Sequence, residues 1–340
     1  MNYILRDENA VYYECGYSSD NALYLRLGSE AWLITDSRYT VEAKEAVRGA
    51  EVVEASDLLK AARALLRRHH VRRLVYDPKE WSAAAMEGLM RKLPHLYFHP
   101  QPAFSHRKRM VKSDAEIALL KRAAELGREG FDRFAQVVRE RGIGEREKRL
   151  HFEAKAAMSH HGEYDLSFDP IVAVNANAAK PHALPTEVRL AKGDLLLVDA
   201  GLKYRRYCSD RTRTAYVDET LRFEEEQRFA SARIQKAYDL VRKAHDRAIE
   251  RARPGMTGAQ IDRLAREVIE EGGMGEAFVH STGHGVGLDI HEMPVISKRS
   301  DTVVEAGMVF TIEPGVYFPG EFGIRIEDMV VMREDRVEIL

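Results

Sequence analysis

The sequence contains little cysteine and no long apolar run. Its 340 residues include two cysteines, Cys15 and Cys208, and this spacing indicates free thiols in a reducing compartment rather than a disulfide scaffold. No apolar run approaches the roughly 20 residues of a membrane span, and the first residues lack the apolar core of a signal peptide. The sequence therefore predicts a cytoplasmic protein with no membrane partner.

An excess of basic charge is also absent. The formal net charge is -2, with 52 Lys and Arg against 54 Asp and Glu. A nucleic-acid-binding domain needs a basic surface to neutralise phosphates, so we expect no nucleic-acid partner. The 340 residues are enough for two domains.

The first domain is expected to cover residues 1–108 and to be mixed α/β. Strands at 22–27 and 31–35 flank Gly28-Ser29-Glu30, which is a hairpin pattern. Helical spacing of apolar residues follows at 40–47 and 56–68, and a strand is expected at 71–76. No group of residues in this part suggests chemistry.

The second domain is expected to cover residues 109–340 and to contain two similar halves. Helices are predicted at 113–141 and 145–160, and again at 222–251 and 257–272. Ser113 with Glu116 and Thr257 with Gln260 are the spacings of helix-capping boxes. Each helix pair precedes an extended segment. The main strands are predicted at 195–198, 207–217, 308–312 and 323–332.

A glycine-rich segment at 278–292 carries three histidines, His280, His284 and His291. Glycines at 283, 285 and 287 would each weaken a helix by about 1 kcal/mol, so the segment is not a regular helix. If it is extended, His280, Thr282 and His284 point to one face. A loop of solvent-exposed histidines is the simpler alternative.

Four acidic residues, Asp199, Asp210, Glu313 and Glu327, lie near the ends of apolar strands. A single buried acid is usually a paired structural charge. If the four converge near His284, the carboxylates would repel one another unless cations lie between them, and two divalent ions would balance the charge. Oxygen-rich sites with one imidazole favour Mn²⁺ or Co²⁺, with Zn²⁺ or Fe²⁺ as alternatives.

The residues beside these acids suit a metal site. Thr212 and Thr214 would share a strand face with Asp210 and could orient its carboxylate. Arg325 would share a face with Glu327 and could pair with a ligand carboxylate or a substrate carboxylate. A plain cross-strand ion pair is an equal alternative for Arg325. Cys208 is interpreted as a packing residue, because an oxygen-rich site does not select sulfur.

The segments that carry these residues resemble the five-ligand signature of the pita-bread metallopeptidases. The chain as a whole is similar to the proline-specific branch, Xaa-Pro aminopeptidase and Xaa-Pro dipeptidase (prolidase). The resemblance implies an α+β fold, with a pita-bread catalytic domain of two pseudo-symmetric halves at 109–340 and a smaller mixed α/β creatinase-like domain at 1–108. The matching segments are Asp199-Ala200-Gly201, Ser209-Asp210-Arg211-Thr212-Arg213-Thr214, Gly283-His284-Gly285-Val286-Gly287, Glu313-Pro314-Gly315 and Arg325-Ile326-Glu327-Asp328.

The same resemblance implies roles for the five ligands. Asp199 would hold one metal ion, Asp210 and Glu327 would bridge two, and His284 and Glu313 would complete the second. Glu313 would also act as general base toward the metal-bridging water that attacks the Xaa-Pro bond.

Three histidines match the substrate-side positions of the family. They are His182, His280 and His291, and such imidazoles donate a hydrogen bond to a developing oxyanion or a proton to the leaving group. The implied partners are a proline-containing peptide or dipeptide and, by family analogy, a second copy of the chain in a homodimer.

Other functions on this fold are ranked lower. A methionine aminopeptidase shares the metal ligands but usually lacks such a first domain and the run at 209–214. A creatinase-like amidinohydrolase departs from the five-ligand set, and a catalytically silent peptide-binding module would have lost ligands. The choice between aminopeptidase and dipeptidase stays open.

Overall fold

The computed structural model describes residues 1–340, which form two compact units, Met1–Arg109 and Met110–Leu340. The first unit is built on one mixed six-stranded sheet, ordered β4-β3-β2-β1-β5-β6. Its strands are β1 Asn2–Leu5, β2 Ala22–Leu27, β3 Glu30–Thr35, β4 Glu51–Glu54, β5 Arg73–Tyr76 and β6 Tyr97–Pro100. Its helices are α1 Glu8–Cys15, α2 Thr40–Ala46, α3 Leu58–Arg68, α4 Ala83–Arg91 and α5 Phe104–Lys108.

Both faces of this sheet are buried, because successive side chains of its strands alternate between two apolar cores. Leu23 and Leu25 of β2 pack with α3 and α4 on one face. Tyr24, between them, packs with α1 and α2 on the other face. The predicted hairpin is confirmed, since β2 and β3 pair antiparallel from Ala22↔Thr35 to Leu27↔Glu30.

Glu80 in this unit makes stability depend on pH. Its Oε2 accepts the backbone N–H groups of Arg6 at 2.9 Å and Asp7 at 3.2 Å. Burial, the largest cause, raises its pKa from 4.5 to about 7. The folded state then holds the Glu80 proton more tightly than the unfolded state does. The resulting contribution to stability is full below pH 4.5 and is lost as pH rises toward 7.

We therefore expect Glu80→Gln to flatten this pH dependence. Between pH 4.5 and 7.5 the wild type should lose up to about 3 kcal/mol of unfolding free energy that the variant keeps. Urea unfolding of the full chain at both pH values measures the difference. Glu87→Gln, an exposed change on α4, is the control. Parallel pH curves for wild type and Glu80→Gln would contradict the assignment.

The second unit contains two helix pairs, each followed by its own sheet. The first half has α6 Asp114–Val137, α7 Glu147–Met158, β7 Ile171–Val174, β8 Leu195–Ala200, β9 Lys203–Tyr204, β10 Tyr207–Cys208 and β11 Arg211–Tyr216. The second has α8 Ala232–Arg251, α9 Gly258–Glu271, β12 Gly283–Gly285, β13 Glu292–Ile296, β14 Val309–Ile312, β15 Gly315–Phe318, β16 Phe322–Arg325, β17 Asp328–Met332 and β18 Val337–Ile339.

The two halves correspond to the predicted repetition. The sheet of the first half is β11-β8-β7, and that of the second is β13-β12-β14-β17-β18, with two-stranded ribbons β10-β9 and β15-β16 beside them. Ser113 and Thr257 both form the predicted capping boxes at the starts of α6 and α9. None of the helices combines the length and apolar character required to cross a membrane.

The predicted helix at 222–251 is wrong in its first ten residues, because α8 begins at Ala232 after the cap Ser231. The preceding segment makes other contacts. Gln227 accepts the backbone N–H of Tyr216 at 3.0 Å through its side-chain oxygen. Phe229 packs against Tyr216 and Tyr238. These tertiary contacts outweigh a local helical pattern.

Two predicted strands are also wrong in that each is interrupted. The strand at 207–217 breaks at 209–210 between β10 and β11, and that at 323–332 breaks at 326–327 between β16 and β17. The chain changes sheets at the second break, because β16 pairs with β15 and β17 with β14. A lone bridge joins Thr212 to Glu327. Asp210 and Glu327 therefore both lie in strand breaks.

Candidate metal centre and active site

One cavity of about 450 Å³ in the second unit contains all five predicted ligands. Each is carried by a strand or by the residue next to one. Asp199 lies near the end of β8, Asp210 precedes β11, His284 is in β12, Glu313 follows β14, and Glu327 separates β16 from β17. His182, His280, His291 and Arg325 line the same cavity.

Three of the five ligands form the tightest cluster. One ligand atom from each of Asp210, His284 and Glu327 lies within 4.8 Å of the others. Glu313 Oε1 and Asp210 Oδ2 are each 3.5 Å from His284 Nε2. Asp199 stands beside this cluster, and its buried Oδ1 has no hydrogen-bond partner. An unpaired buried carboxylate oxygen suits a cation, so the donor set fits a metal site.

His284 is held in the form that a metal ligand requires. Its Nδ1 donates to the carbonyl of Gly285 at 3.1 Å, which leaves the Nε2 lone pair facing the carboxylates. Burial lowers its pKa, which favours the neutral ring. The neighbouring Gly283 allows β12 to approach β14, because a Cβ there would lie 1.9 Å from the carbonyl oxygen of Thr311.

The buried carboxylates outnumber the protein's own cations, because Arg325 is the only lysine or arginine that lines the cavity. Burial and then the neighbouring acids raise the pKa of Asp210 and of Glu327 well above the ordinary range. Burial also raises the pKa of Glu313 to about 7, although Arg325 acts against it. Divalent cations would relieve this repulsion, and four carboxylates with one imidazole select metals that prefer oxygen.

Two threonine hydroxyls orient the acids. Thr212 Oγ1 donates to Glu327 Oε2 at 2.6 Å and accepts from Arg325 Nε at 3.0 Å. The sequence predicted that Thr212 would orient Asp210, but Asp210 lies outside the strand and Glu327 takes the bond. Thr311 Oγ1 donates to Glu313 Oε1 at 3.3 Å and accepts from the His284 N–H at 3.1 Å. Thr311 was missed, although it lies two residues before Glu313.

Arg325 links a ligand to a histidine. Its Nη2 donates to Asp199 Oδ2 at 2.5 Å, and its Nη1 donates to the Tyr317 hydroxyl at 2.7 Å. That hydroxyl lies 2.9 Å from His280 Nε2, while His280 Nδ1 lies 2.7 Å from the carbonyl of Ser281. The consistent assignment has His280 accepting from Tyr317 and donating to Ser281. Sequence reasoning missed Tyr317, which comes 37 residues after His280.

Burial, and then the charge of Arg325, lowers the pKa of His280 to about 4. The expectation that Thr282 shares a face with His280 and His284 is wrong. Thr282 is absent from the cavity lining, and its hydroxyl donates to Asp262 Oδ1 at 2.8 Å.

His291 belongs to a loop held by a buried ion pair. Its ring centroid lies 4.3 Å from that of His284. The next residue, Glu292, pairs with Lys112 at 3.1 Å, and both side chains are buried. The other oxygen of Glu292 accepts the N–H of Asp289 at 3.1 Å. The pair fixes the loop that brings His291 to the cavity.

Comparison with solved structures finds the same fold in two enzymes. "Xaa-Pro dipeptidase from Bacillus anthracis" superposes with a TM-score of 0.91 and 32% identity over 99% of this chain and 92% of that chain. The X-Pro aminopeptidase from Thermotoga maritima gives 0.88 and 32% over 99% of this chain and 94% of that chain. The "Uncharacterized peptidase YqhT" of Bacillus subtilis is 32% identical over 98% of this chain and 91% of its own length.

Both parts of the chain match described families. Residues 2–111 match the Creatinase/Prolidase N-terminal domain, and residues 118–334 match Metallopeptidase family M24. These matches and the fold comparisons confirm the resemblance and the pita-bread architecture. A peptidase of this family depends on divalent metal ions, and the cavity offers the residues to hold them. The chain belongs to metallopeptidase family M24.

Proposed function

We propose that this enzyme is an exopeptidase that hydrolyses the bond between an N-terminal residue and proline. The observation that carries the proposal is the single cavity that gathers the five proposed ligands, three further histidines and Arg325. Support comes from structural neighbours named for Xaa-Pro substrates, two of which are matched over 99% of this chain. The match of residues 2–111 to a Creatinase/Prolidase domain disfavours the alternative of a methionine-aminopeptidase-like enzyme.

The five ligands would hold two divalent ions, with Mn²⁺ or Co²⁺ favoured by the donor atoms and Zn²⁺ or Fe²⁺ as alternatives. These ligands would be Asp199, Asp210, His284, Glu313 and Glu327, which all line the cavity. Bound divalent ions supply Lewis-acid polarisation of the peptide carbonyl and lower the pKa of water. Thr212, Thr311 and Arg325 hold the ligand oxygens in place through the contacts described above.

Glu313 takes a proton from the attacking water, since its carboxylate lines the cavity beside His284. The bond before proline is a tertiary amide, and its nitrogen is a poor leaving group that needs a proton. His182 and His291 line the cavity and can supply donors to the leaving nitrogen and the oxyanion. His280 acts as a positioning residue, because both of its ring nitrogens are already occupied.

Hydrolysis of matched peptides by metal-loaded and chelator-treated protein tests the proposal. We expect Ala-Pro-Ala to be cleaved at least 100-fold faster than Ala-Ala-Ala when Mn²⁺ or Co²⁺ is present. We expect no cleavage after chelation, with activity returning as about two equivalents of metal bind. Equal cleavage of both peptides, or no cleavage with any of the four metals, would refute the proposal.

The family resemblance also predicts a homodimer. Light scattering coupled to gel filtration should give twice the chain mass of 38.7 kDa. A monomer with full activity on Xaa-Pro peptides would show that the active site needs no partner chain.

A further inference from the structure

Arg325 is the only lysine or arginine that lines the cavity, and its donors are already in use. Beyond the contacts with Thr212, Tyr317 and Asp199, its Nη1 also donates to the carbonyl of Pro181 at 3.3 Å. Four of the five guanidinium N–H groups therefore have partners inside the protein. Bidentate binding of a substrate carboxylate requires two adjacent free N–H groups, which Arg325 lacks.

The histidines of the cavity do not provide an alternative binding group for a substrate carboxylate. His280 donates to Ser281 and accepts from Tyr317, so it has no free donor for a carboxylate. His182 and His291 are the other histidines at the cavity that are free of the ligand cluster. In the proposed function their N–H groups serve the oxyanion and the leaving nitrogen. A carboxylate held by either would remove a donor from the reaction.

Away from the ligands the cavity lining is largely apolar, and its one charged side chain there is the acidic Asp169 rather than a cation. The lining includes Phe168, Pro170, Leu184, Pro185 and Ile290. Leu184 is the clearest case, because 79% of it is exposed although it belongs to the cavity wall. A peptide that continues past proline would cover this surface with an uncharged backbone. A free carboxylate placed against it would lose hydration without gaining a charged partner.

We infer that the enzyme is an aminopeptidase that takes Xaa-Pro peptides of three or more residues, and that it discriminates against free Xaa-Pro dipeptides. The inference rests on the proposed function and adds the substrate class. The prolyl carbonyl of a good substrate is an amide rather than a carboxylate. Discrimination arises from the charge at this position more than from peptide length.

Three substrates separate charge from length. Ala-Pro carries the carboxylate, Ala-Pro-NH₂ has the same length without the charge, and Ala-Pro-Ala is one residue longer. With the metal-loaded full chain we expect kcat/KM for the amide and the tripeptide to exceed that for Ala-Pro at least tenfold. Cleavage of Ala-Pro as fast as the amide would overturn the inference but leave the proposed function standing. Failure to cleave all three would instead refute the proposed function.

The variant Arg325→Lys tests directly whether Arg325 binds the carboxylate of a dipeptide substrate. If Arg325 acts only through Asp199 and Tyr317, the variant should lower kcat/KM for all three substrates by the same factor. A loss confined to Ala-Pro would identify Arg325 as the carboxylate-binding group and overturn the inference. Circular dichroism and metal stoichiometry establish that the variant is folded and loaded. The wild-type comparison of the three substrates stands even if the variant does not fold.

Discussion

Glu313→Gln is expected to lower kcat by at least 100-fold on Xaa-Pro peptides while the fold survives. Glutamine has nearly the same size and keeps an oxygen that can accept from Thr311. It cannot take a proton from water, and general base catalysis typically contributes about 10²- to 10⁴-fold. It also lacks the negative charge that would hold a cation beside His284. Both losses act in the same direction.

Three measurements separate these effects. Circular dichroism and thermal unfolding report the fold, metal titration reports the occupancy, and kcat at saturating metal isolates the loss of the base. Glu321→Gln makes the same chemical change at an exposed glutamate that pairs with Arg233, so its activity should equal that of the wild type. A Glu313→Gln variant that turns over normally at full metal occupancy would exclude Glu313 as the base.

The residues at strand ends could be predicted from sequence because their signal is local. An apolar run that stops at an acid, as at Asp199 and Glu313, marks a carboxylate at the edge of a buried sheet. The capping boxes at Ser113 and Thr257 are equally local, since cap and partner lie three residues apart. Such features depend on backbone geometry within one turn or strand.

The breaks in the strands at 209–210 and 326–327 could not be predicted in this way. Apolar and polar residues alternate at 324–327 and an apolar run follows, which reads as one strand, yet the chain changes sheets at Ile326 and Glu327. The contacts that fix the break come from far along the chain. Thr212 is 115 residues from Glu327 and bonds both its side chain and its backbone N–H. A contact between residues so far apart in the chain cannot be recognised from the pattern of apolar and polar residues around either one.

The contacts of Arg325 show the same limit. The sequence predicted an acidic partner for it but could not choose between a ligand and a substrate. Its partner is Asp199, 126 residues away, and the link continues to Tyr317 and His280. Because the contacts of Arg325 occupy four of its five guanidinium N–H groups, they also bear on which substrates it could bind. The sequence alone could not distinguish an aminopeptidase from a dipeptidase for this reason.

Asp328→Ala is expected to destabilise the second unit by about 3–5 kcal/mol. Asp328 directly follows Glu327, and both of its oxygens accept from Arg213 Nη2 at 2.8 Å. His245 Nε2 lies 3.2 Å from Oδ2, a charge contact without aligned hydrogen-bond geometry. All three side chains are buried. Removing the carboxylate leaves the arginine charge buried without its main partner, which costs more than the pair itself contributes.

Urea unfolding of the second unit tests this expectation. Asp335→Ala, an exposed change seven residues away, should alter the unfolding free energy by less than about 0.5 kcal/mol. The double variant Arg213→Met with Asp328→Leu removes both charges and fills the space with apolar groups. It should be more stable than Asp328→Ala alone, because the buried guanidinium of Arg213 is no longer left without its carboxylate. Additive losses in the double variant would contradict this account of the pair.

The same substitution should also weaken metal binding. Arg213 Nη1 donates to the backbone carbonyl of Glu327 at 2.6 Å, so the guanidinium that Asp328 holds also fixes the backbone of a proposed ligand. Without Asp328 this anchor is free to move, and residues that support ligands typically change metal affinity by about 10- to 100-fold. Metal titration of folded Asp328→Ala below its unfolding temperature measures the change. Unaltered metal affinity in that variant would confine the Arg213–Asp328 pair to a role in stability.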